Sequence, residues 1–200
     1  VVQTSPRRSH IGVAVFVSTV ILGLVLDQWT KSLALTHLTT SSNIPLLGDL
    51  ITLTLVHNPG ATMGVGSGVT WIISLFAILA SLVFSYIALK TTNAWWSFVL
   101  ALTVSGAVGN IIDRVIYAEG FLNGTVVDFI NYGPFVGNVA DIYLTVAAIA
   151  IIVTVVRGTK FEIPFLDNIL YAEDSDEAQQ TETEEKSSVT ENSTHLEKDN

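Results

Sequence analysis

Apolar positions along the 200 residues gather into four long runs: roughly Ile11 to Leu33, Trp71 to Leu89, Ala94 to Ile112 and Val139 to Val156. Each is close to the ~20 residues a helix needs to cross a hydrocarbon core of ~30 Å. The pattern therefore predicts four transmembrane helices. Between the first two runs, Leu50-Ile51-Thr52-Leu53-Thr54-Leu55-Val56 alternates apolar side chains with threonine, which is the period of a strand. Between the last two, Asn123-Gly124 gives a hairpin turn signal leading into the β-prone run Thr125-Val126-Val127-Asp128-Phe129. A small sheet at the membrane surface accounts for both stretches, and a sheet edge is one of the recurrent ways to hold an extended peptide. The expected fold is a membrane all-α core of four spans with a small extracytoplasmic β-sheet.

Composition agrees with the pattern. Half the residues are hydrophobic, only 14% are charged, and the mean hydropathy is +0.54, outside the range of ordinary soluble domains. The absence of cysteine excludes a disulfide framework, a thiolate metal site and a cysteine nucleophile. The net charge of −9 belongs to one end. From Tyr171 onward there are ten acids and two lysines, leaving eight acids against seven Lys/Arg in the preceding 170 residues. Three segments follow: a basic N-terminus 1–10, a four-helix membrane domain 11–160, and a C-terminal extension 161–200. The extension is acidic from about 172 and too polar there to offset the entropy of ordering, so it is expected to be disordered.

The first run has a basic front in Arg7 and Arg8, as a cleavable signal sequence would. No small-residue cleavage site follows Leu26, however, and Asp27 and Lys31 continue the helical pattern, so it reads as a retained span. Arg7 and Arg8, Lys90, and Arg157 and Lys160 all fall on one side of the four runs. By the bias of basic residues toward the inside, that side and both termini are cytoplasmic. Segments 34–70 and 113–138 then lie outside.

Against this apolar background the ionisable residues stand out. A charge within a bilayer costs a few kcal/mol on insertion scales, so an acid there is a functional candidate by default. Asp128 sits in Val126-Val127-Asp128-Phe129-Ile130, and Asp141 stands at the head of the fourth run in Val139-Ala140-Asp141-Ile142. Asp27 and Lys31 are four residues apart with the acid first, the favourable order for an ion pair that anchors span one. Asn110, Asp113 and Arg114 group within a turn at the end of span three. Beside Arg114, Asp113 suits a structural or substrate-positioning role. Asn58-Pro59-Gly60-Ala61 closes the first strand with a tight backbone that a substrate chain can approach closely. Asn138 falls at the N-cap of span four, with Asp141 in its first turn.

The motifs Asp27-Gln28-Trp29-Thr30-Lys31, Asn58-Pro59-Gly60-Ala61, Gly109-Asn110-Ile111-Ile112-Asp113-Arg114, Val126-Val127-Asp128-Phe129 and Asn138-Val139-Ala140-Asp141 occur in this order on four spans. Together they resemble the lipoprotein signal peptidase (signal peptidase II) family over about residues 11 to 156. The resemblance implies an aspartic endopeptidase of the bacterial cytoplasmic membrane. Such an enzyme removes the signal peptide from diacylglyceryl-modified prolipoproteins just before the lipidated cysteine, without a cofactor. It also implies that Asp128 and Asp141 are the catalytic dyad. Asp27, Lys31, Asn58, Gly60, Ala61, Gly109, Asn110, Asp113, Arg114, Asn138 and Ala140 match the family's other motif positions. Twelve residues separate Asp128 from Asp141, including Gly133, Pro134 and Gly137, which is a compact connection, and the acidic tail lies outside the family pattern.

Peptide hydrolysis by such a pair needs one carboxylate to activate water and one carboxylic acid to assist the carbonyl, which two adjoining aspartates sharing a proton provide. They titrate as a unit. Three other readings compete. A proton-coupled transporter or channel component would also place acids and a lysine in spans, but it needs polar groups near the midplane, where spans two and three carry only Ser, Thr and Gly. A serine/lysine peptidase could use Lys31 as base, yet Ser41, Ser42 and Ser105 sit in no comparable motif. A scaffold leaves the outer acids without a use. His10, His37, His57 and His195 have no metal-ligand spacing.

Overall fold

The computed structural model describes residues 6–60 and 66–159. The acidic extension and Ala61 lie outside the described residues. Four helices form: α1 (Pro6–His37), α2 (Thr70–Lys90), α3 (Ala94–Ile116) and α4 (Val139–Val156). All are long and apolar enough to cross a membrane, with a 3-10 turn at Ser67–Val69 leading into α2. Asn93 starts α3 by accepting the Trp95 and Trp96 backbone N–H groups on its side chain, at 3.0 and 3.3 Å, which lets α2 turn into α3 through three residues.

α3 is the centre of the bundle. It packs against α1, α2 and α4, while those three touch one another little. Of the most apolar stretch of α3, 56% is buried within the protein, against 17–22% for the other three spans. This explains why α3 holds Ser97, Ser105, Gly106, Gly109 and Asn110, all buried, where its neighbours turn Leu, Ile, Val and Phe outward to lipid. Small residues permit the close packing. A Cβ on Gly106 would stand 2.6 Å from the Ala140 carbonyl oxygen of α4, and one on Gly109 would stand 2.5 Å from Asp27 Oδ2 of α1.

Two helices run longer than the hydropathy pattern predicts. α1 continues past Leu33 because Ala34 and Leu38 bury against Leu55, Val127 and Phe129 of the sheet. α3 continues one turn past Ile112 because Asp113 and Arg114, which read as the polar end of a span, are buried and bonded inside the protein.

The sheet has four antiparallel strands in the order β1 (Ile44–Leu47), β2 (Ile51–Asn58), β3 (Val126–Asn131) and β4 (Val136–Gly137). β1 and β2 form a hairpin whose turn uses Gly48 at φ +55°. Leu50, read from the sequence as the start of the strand, belongs to that turn and is 77% exposed. The central pairing joins β2 to β3, with Val56 opposite Asp128 and Asn58 opposite Val126. The Asn123-Gly124 signal does not form a hairpin. Gly124 instead donates its N–H to the Arg114 carbonyl (3.2 Å) and folds the chain back along the end of α3, where a Cβ would meet that oxygen at 2.6 Å. β1, which contains Pro45, and the two-residue β4 carry no strand pattern of their own and form as edges of a sheet set by its two inner strands.

Candidate active site

Strand alternation delivers Asp128. Val127 and Phe129 turn into the core against α1, and Asp128 turns to the opposite face, onto a cavity of about 390 Å³ at the sheet end of the helices. Asp141 reaches the same cavity from the first turn of α4. The two carboxylates, thirteen positions apart in sequence, thus meet from a strand and a helix. Asn58 and Gly60 line the cavity from the end of β2, and Asn110 and Arg114 from the end of α3. Ile73 and Ala77 of α2, Leu144 of α4 and Phe135 of the β3–β4 turn supply apolar walls.

Amide side chains fix the carboxylates. Asp128 Oδ1 accepts from Asn138 Nδ2 at 2.7 Å and Oδ2 from Asn58 Nδ2 at 2.9 Å. Asp141 Oδ1 accepts from Asn110 Nδ2 at 3.0 Å, and Oδ2 from the Asn138 backbone N–H at 3.1 Å. Asn138 returns the latter bond by accepting the Asp141 N–H (3.1 Å), a reciprocal capping box. It is therefore the expected cap and also a link between the two acids. Asn58 Oδ1 takes the Gly60 N–H at 3.0 Å, which orients its amide toward Asp128.

Asp128 is 1% exposed, and burial pushes its carboxyl from 3.8 up to about 6. The charge of Asp141 adds to the rise, while the Asn58 and Asn138 hydrogen bonds and Lys31 oppose it. Burial also raises the Tyr132 phenol, with a smaller push from Asp141. Tyr132 stacks on Phe135, ring centroids 4.9 Å apart, across the turn that closes the compact connection.

Below the cavity lies a second layer. Lys31 pairs with Asp27 at 2.9 Å, as the spacing predicts, and also with Asp113 at 2.9 Å. Here the structure corrects the sequence reading: Asp113 pairs with Lys31, not with its neighbour Arg114. Arg114 instead reaches up to the Gly60 carbonyl (Nη2, 2.9 Å), contacts the Asn110 carbonyl (Nη1, 3.4 Å), and keeps a buried Nε with no partner among the described residues. A side chain on a helix end reaches over its own turn, so adjacency in sequence did not make a pair. Ala140 is fully buried, its N–H donating to Asp27 Oδ1 at 3.0 Å, and Gly109 gives Asp27 the room to lie there.

Gln28 has a part in the site that the sequence pattern does not assign. Its amide joins Asp27 Oδ2, the Gly109 carbonyl and Asp113 Oδ1 at 3.1 to 3.2 Å. An amide beside an acid inside an apolar run was the available signal. The apolar wall had none, because Ile73, Ala77 and Leu144 look like any lipid-facing residue in the sequence. Lys31 Nζ contacts two carboxylates, the Gly109 carbonyl and Asn110 Oδ1, and, among the described residues, no serine hydroxyl. Ser105 Oγ is turned back onto the Ala101 carbonyl.

A multi-span membrane protein with one buried and one part-buried carboxylate on one cavity at the end of its spans fits a membrane aspartic peptidase, and its similarity to known proteins agrees. A family model described as signal peptidase (SPase) II matches residues 19–157. A lipoprotein signal peptidase of Bifidobacterium longum subsp. infantis is 45% identical over 177 residues, covering 88% of this chain and 94% of the relative. That of Mycobacterium leprae is 34% identical over 158 residues, covering 78% and 77%. A bacterial membrane enzyme solved by the in meso method at 2.3 Å superposes with a TM-score of 0.65 at 28% identity, covering 72% of this chain and 89% of that one. The chain belongs to the signal peptidase II family of membrane aspartic peptidases.

Proposed function

We propose that this protein removes the signal peptide from lipid-modified prolipoproteins, cutting just before the lipidated cysteine, with Asp128 and Asp141 as its catalytic dyad. The observation that carries the assignment is the pair itself: two carboxylates from separate elements, each bonded by amides, facing one cavity. The names of its relatives supply the substrate class. Polarity gathered at the sheet end of the spans, rather than along a path through them, favours a peptidase over a proton-coupled carrier.

The chemistry follows from the pair. The ionised member takes a proton from water as the oxygen attacks the scissile carbonyl carbon, and the protonated member gives the carbonyl oxygen a hydrogen bond that strengthens as charge develops there. Collapse of the tetrahedral intermediate expels the amine, which receives the proton held by the first aspartate. The pair again shares one proton. Asn58, Gly60 and Arg114 line the approach of the substrate backbone. Asp27, Lys31, Gly109, Asn110, Asp113, Asn138 and Ala140 hold the two acids in place.

The cavity has walls from both α2 and α4, which touch each other little, and entry between these two helices would suit a substrate delivered by its own signal helix and diacylglyceryl group. The enzyme works in the bacterial cytoplasmic membrane with both termini inside and the dyad at the outer face, the orientation that the basic residues favour.

Cleavage of a purified lipid-modified prolipoprotein by Asp128→Asn and Asp141→Asn variants tests the reading. Each is expected to lose at least ~10³-fold in turnover while inserting and folding normally, the scale expected when an acid-base group that also positions the nucleophile is removed. Full activity in either variant overturns the dyad.

A further inference from the structure

We infer that Lys31 is a positioning residue that sets the placement of the two catalytic carboxylates relative to one another, an inference that rests on the dyad reading above. The two supporting acids do equivalent jobs on the two sides of the site. Asp27 Oδ1 accepts the backbone N–H of Ala140, the residue before Asp141, at 3.0 Å. Asp113 Oδ2 accepts the backbone N–H of Val127, the residue before Asp128, also at 3.0 Å. Each catalytic aspartate therefore has its preceding peptide held by a carboxylate from another element, α1 in one case and α3 in the other. Lys31 Nζ joins these two carboxylates, 2.9 Å from each.

The ammonium has a third line to the site. Asn110 Oδ1 accepts Lys31 Nζ and Asn138 Nδ2, each at 3.1 Å, and Asn110 Nδ2 donates to Asp141 Oδ1 at 3.0 Å. An asparagine amide is nearly symmetric in shape, so its orientation is decided by its partners. A flip would set its NH2 against an ammonium and an amide donor, and its carbonyl oxygen against a carboxylate. Three favourable contacts would become three repulsive ones, and the one to Lys31 involves a full charge. Lys31 is 2% exposed, so these contacts are shielded from bulk solvent.

An ion pair that only fastened α1 to α3 would need one carboxylate. The geometry here spends the ammonium on two, each tied by backbone to one member of the dyad, and on the amide that faces Asp141. Small errors in the placement of reacting groups are costly, on the order of 10²-fold in rate for ~1 Å.

The test compares the Lys31→Met variant with the parent enzyme in kcat, in KM, and in the affinity of a peptide carrying a tetrahedral hydroxyl at the scissile position, which must sit between both carboxylates. Removing Lys31 alone leaves two buried acids unpaired. The charge-balanced Asp27→Asn/Lys31→Met variant, judged against Asp27→Asn, therefore gives the same measurement in a background with one buried acid removed. The expected result is a loss of roughly 10²-fold in kcat, an equal loss in affinity for the hydroxyl peptide, little change in KM, and partial recovery in Lys31→Arg. Turnover close to the comparison enzyme in either background, or a loss that falls on KM and leaves the hydroxyl peptide tightly bound, overturns the inference. Failure of the dyad reading would show separately, as retained turnover in Asp128→Asn or Asp141→Asn.

Discussion

Asp128 couples the pH dependence of the enzyme to its stability. Its carboxyl, near 3.8 in the unfolded chain and raised to about 6 by burial, binds more protons folded than unfolded between those values. Stability is therefore fully present below about pH 4 and falls as pH rises toward 6, by an amount on the order of 3 kcal/mol. Thermal unfolding in detergent across this range is expected to show a downward slope with pH that the Asp128→Asn variant lacks. An identical slope in both would mean that the group does not titrate there. The same carboxyl shapes activity. The alkaline limb of kcat/KM, which reports the free enzyme, is expected to move to higher pH in Asn58→Ala, because the lost N–H favours the ionised form of Asp128. A limb that stays or moves to lower pH would contradict that role for Asn58. At this scale the sequence was informative wherever a polar group had to be explained in an apolar run: Asp27, Lys31, Asn110, Asp128, Asn138 and Asp141 were all visible that way, and all now lie in one bonded set. Partner choice was not visible. That Asp113 bonds Lys31 and the Val127 N–H, rather than Arg114, depends on where two helices and a strand meet.

Among the elements, the helices were legible because each needs only its own residues to reveal a membrane-length apolar run. Their ends were less so, since the last turns of α1 and α3 are held by burial against the sheet and by buried charge that no local pattern reports. The inner strands were legible from alternation and from Val-Val-Asp-Phe, whereas β1 and β4 exist because β2 and β3 offer them an edge. The Asn123-Gly124 pair misled for a physical reason. Glycine there serves a close backbone approach to Arg114, and a hairpin signal and a close approach select the same residue. Gly109 gives the sharpest test of element packing. A methyl group added at this position would stand 2.5 Å from Asp27 Oδ2 and push α1 from α3, so Gly109→Ala is expected to destabilise the protein by about 1–3 kcal/mol and to lower turnover. Unchanged unfolding temperature and activity would show that the two helices do not approach as closely as described.

For the molecule as a whole, the central position of α3 has a consequence for how the protein is made. The span that carries Asn110, Asp113 and Arg114 is the one most shielded from lipid once folded, but it must enter the bilayer before its shields are complete. On insertion scales its serines, threonine and terminal charges make it the weakest candidate of the four to partition alone. The three-residue connection to α2 then matters to biogenesis: the preceding span, strongly apolar and only a turn away, offers a partner at the moment of entry. In a glycosylation-tag insertion assay, α3 presented alone is expected to integrate poorly and the α2–α3 hairpin to integrate efficiently. Equal integration of both would remove the dependence. The polar interior that gives the site its hydrogen bonds thus makes the membrane entry of this helix a cooperative event.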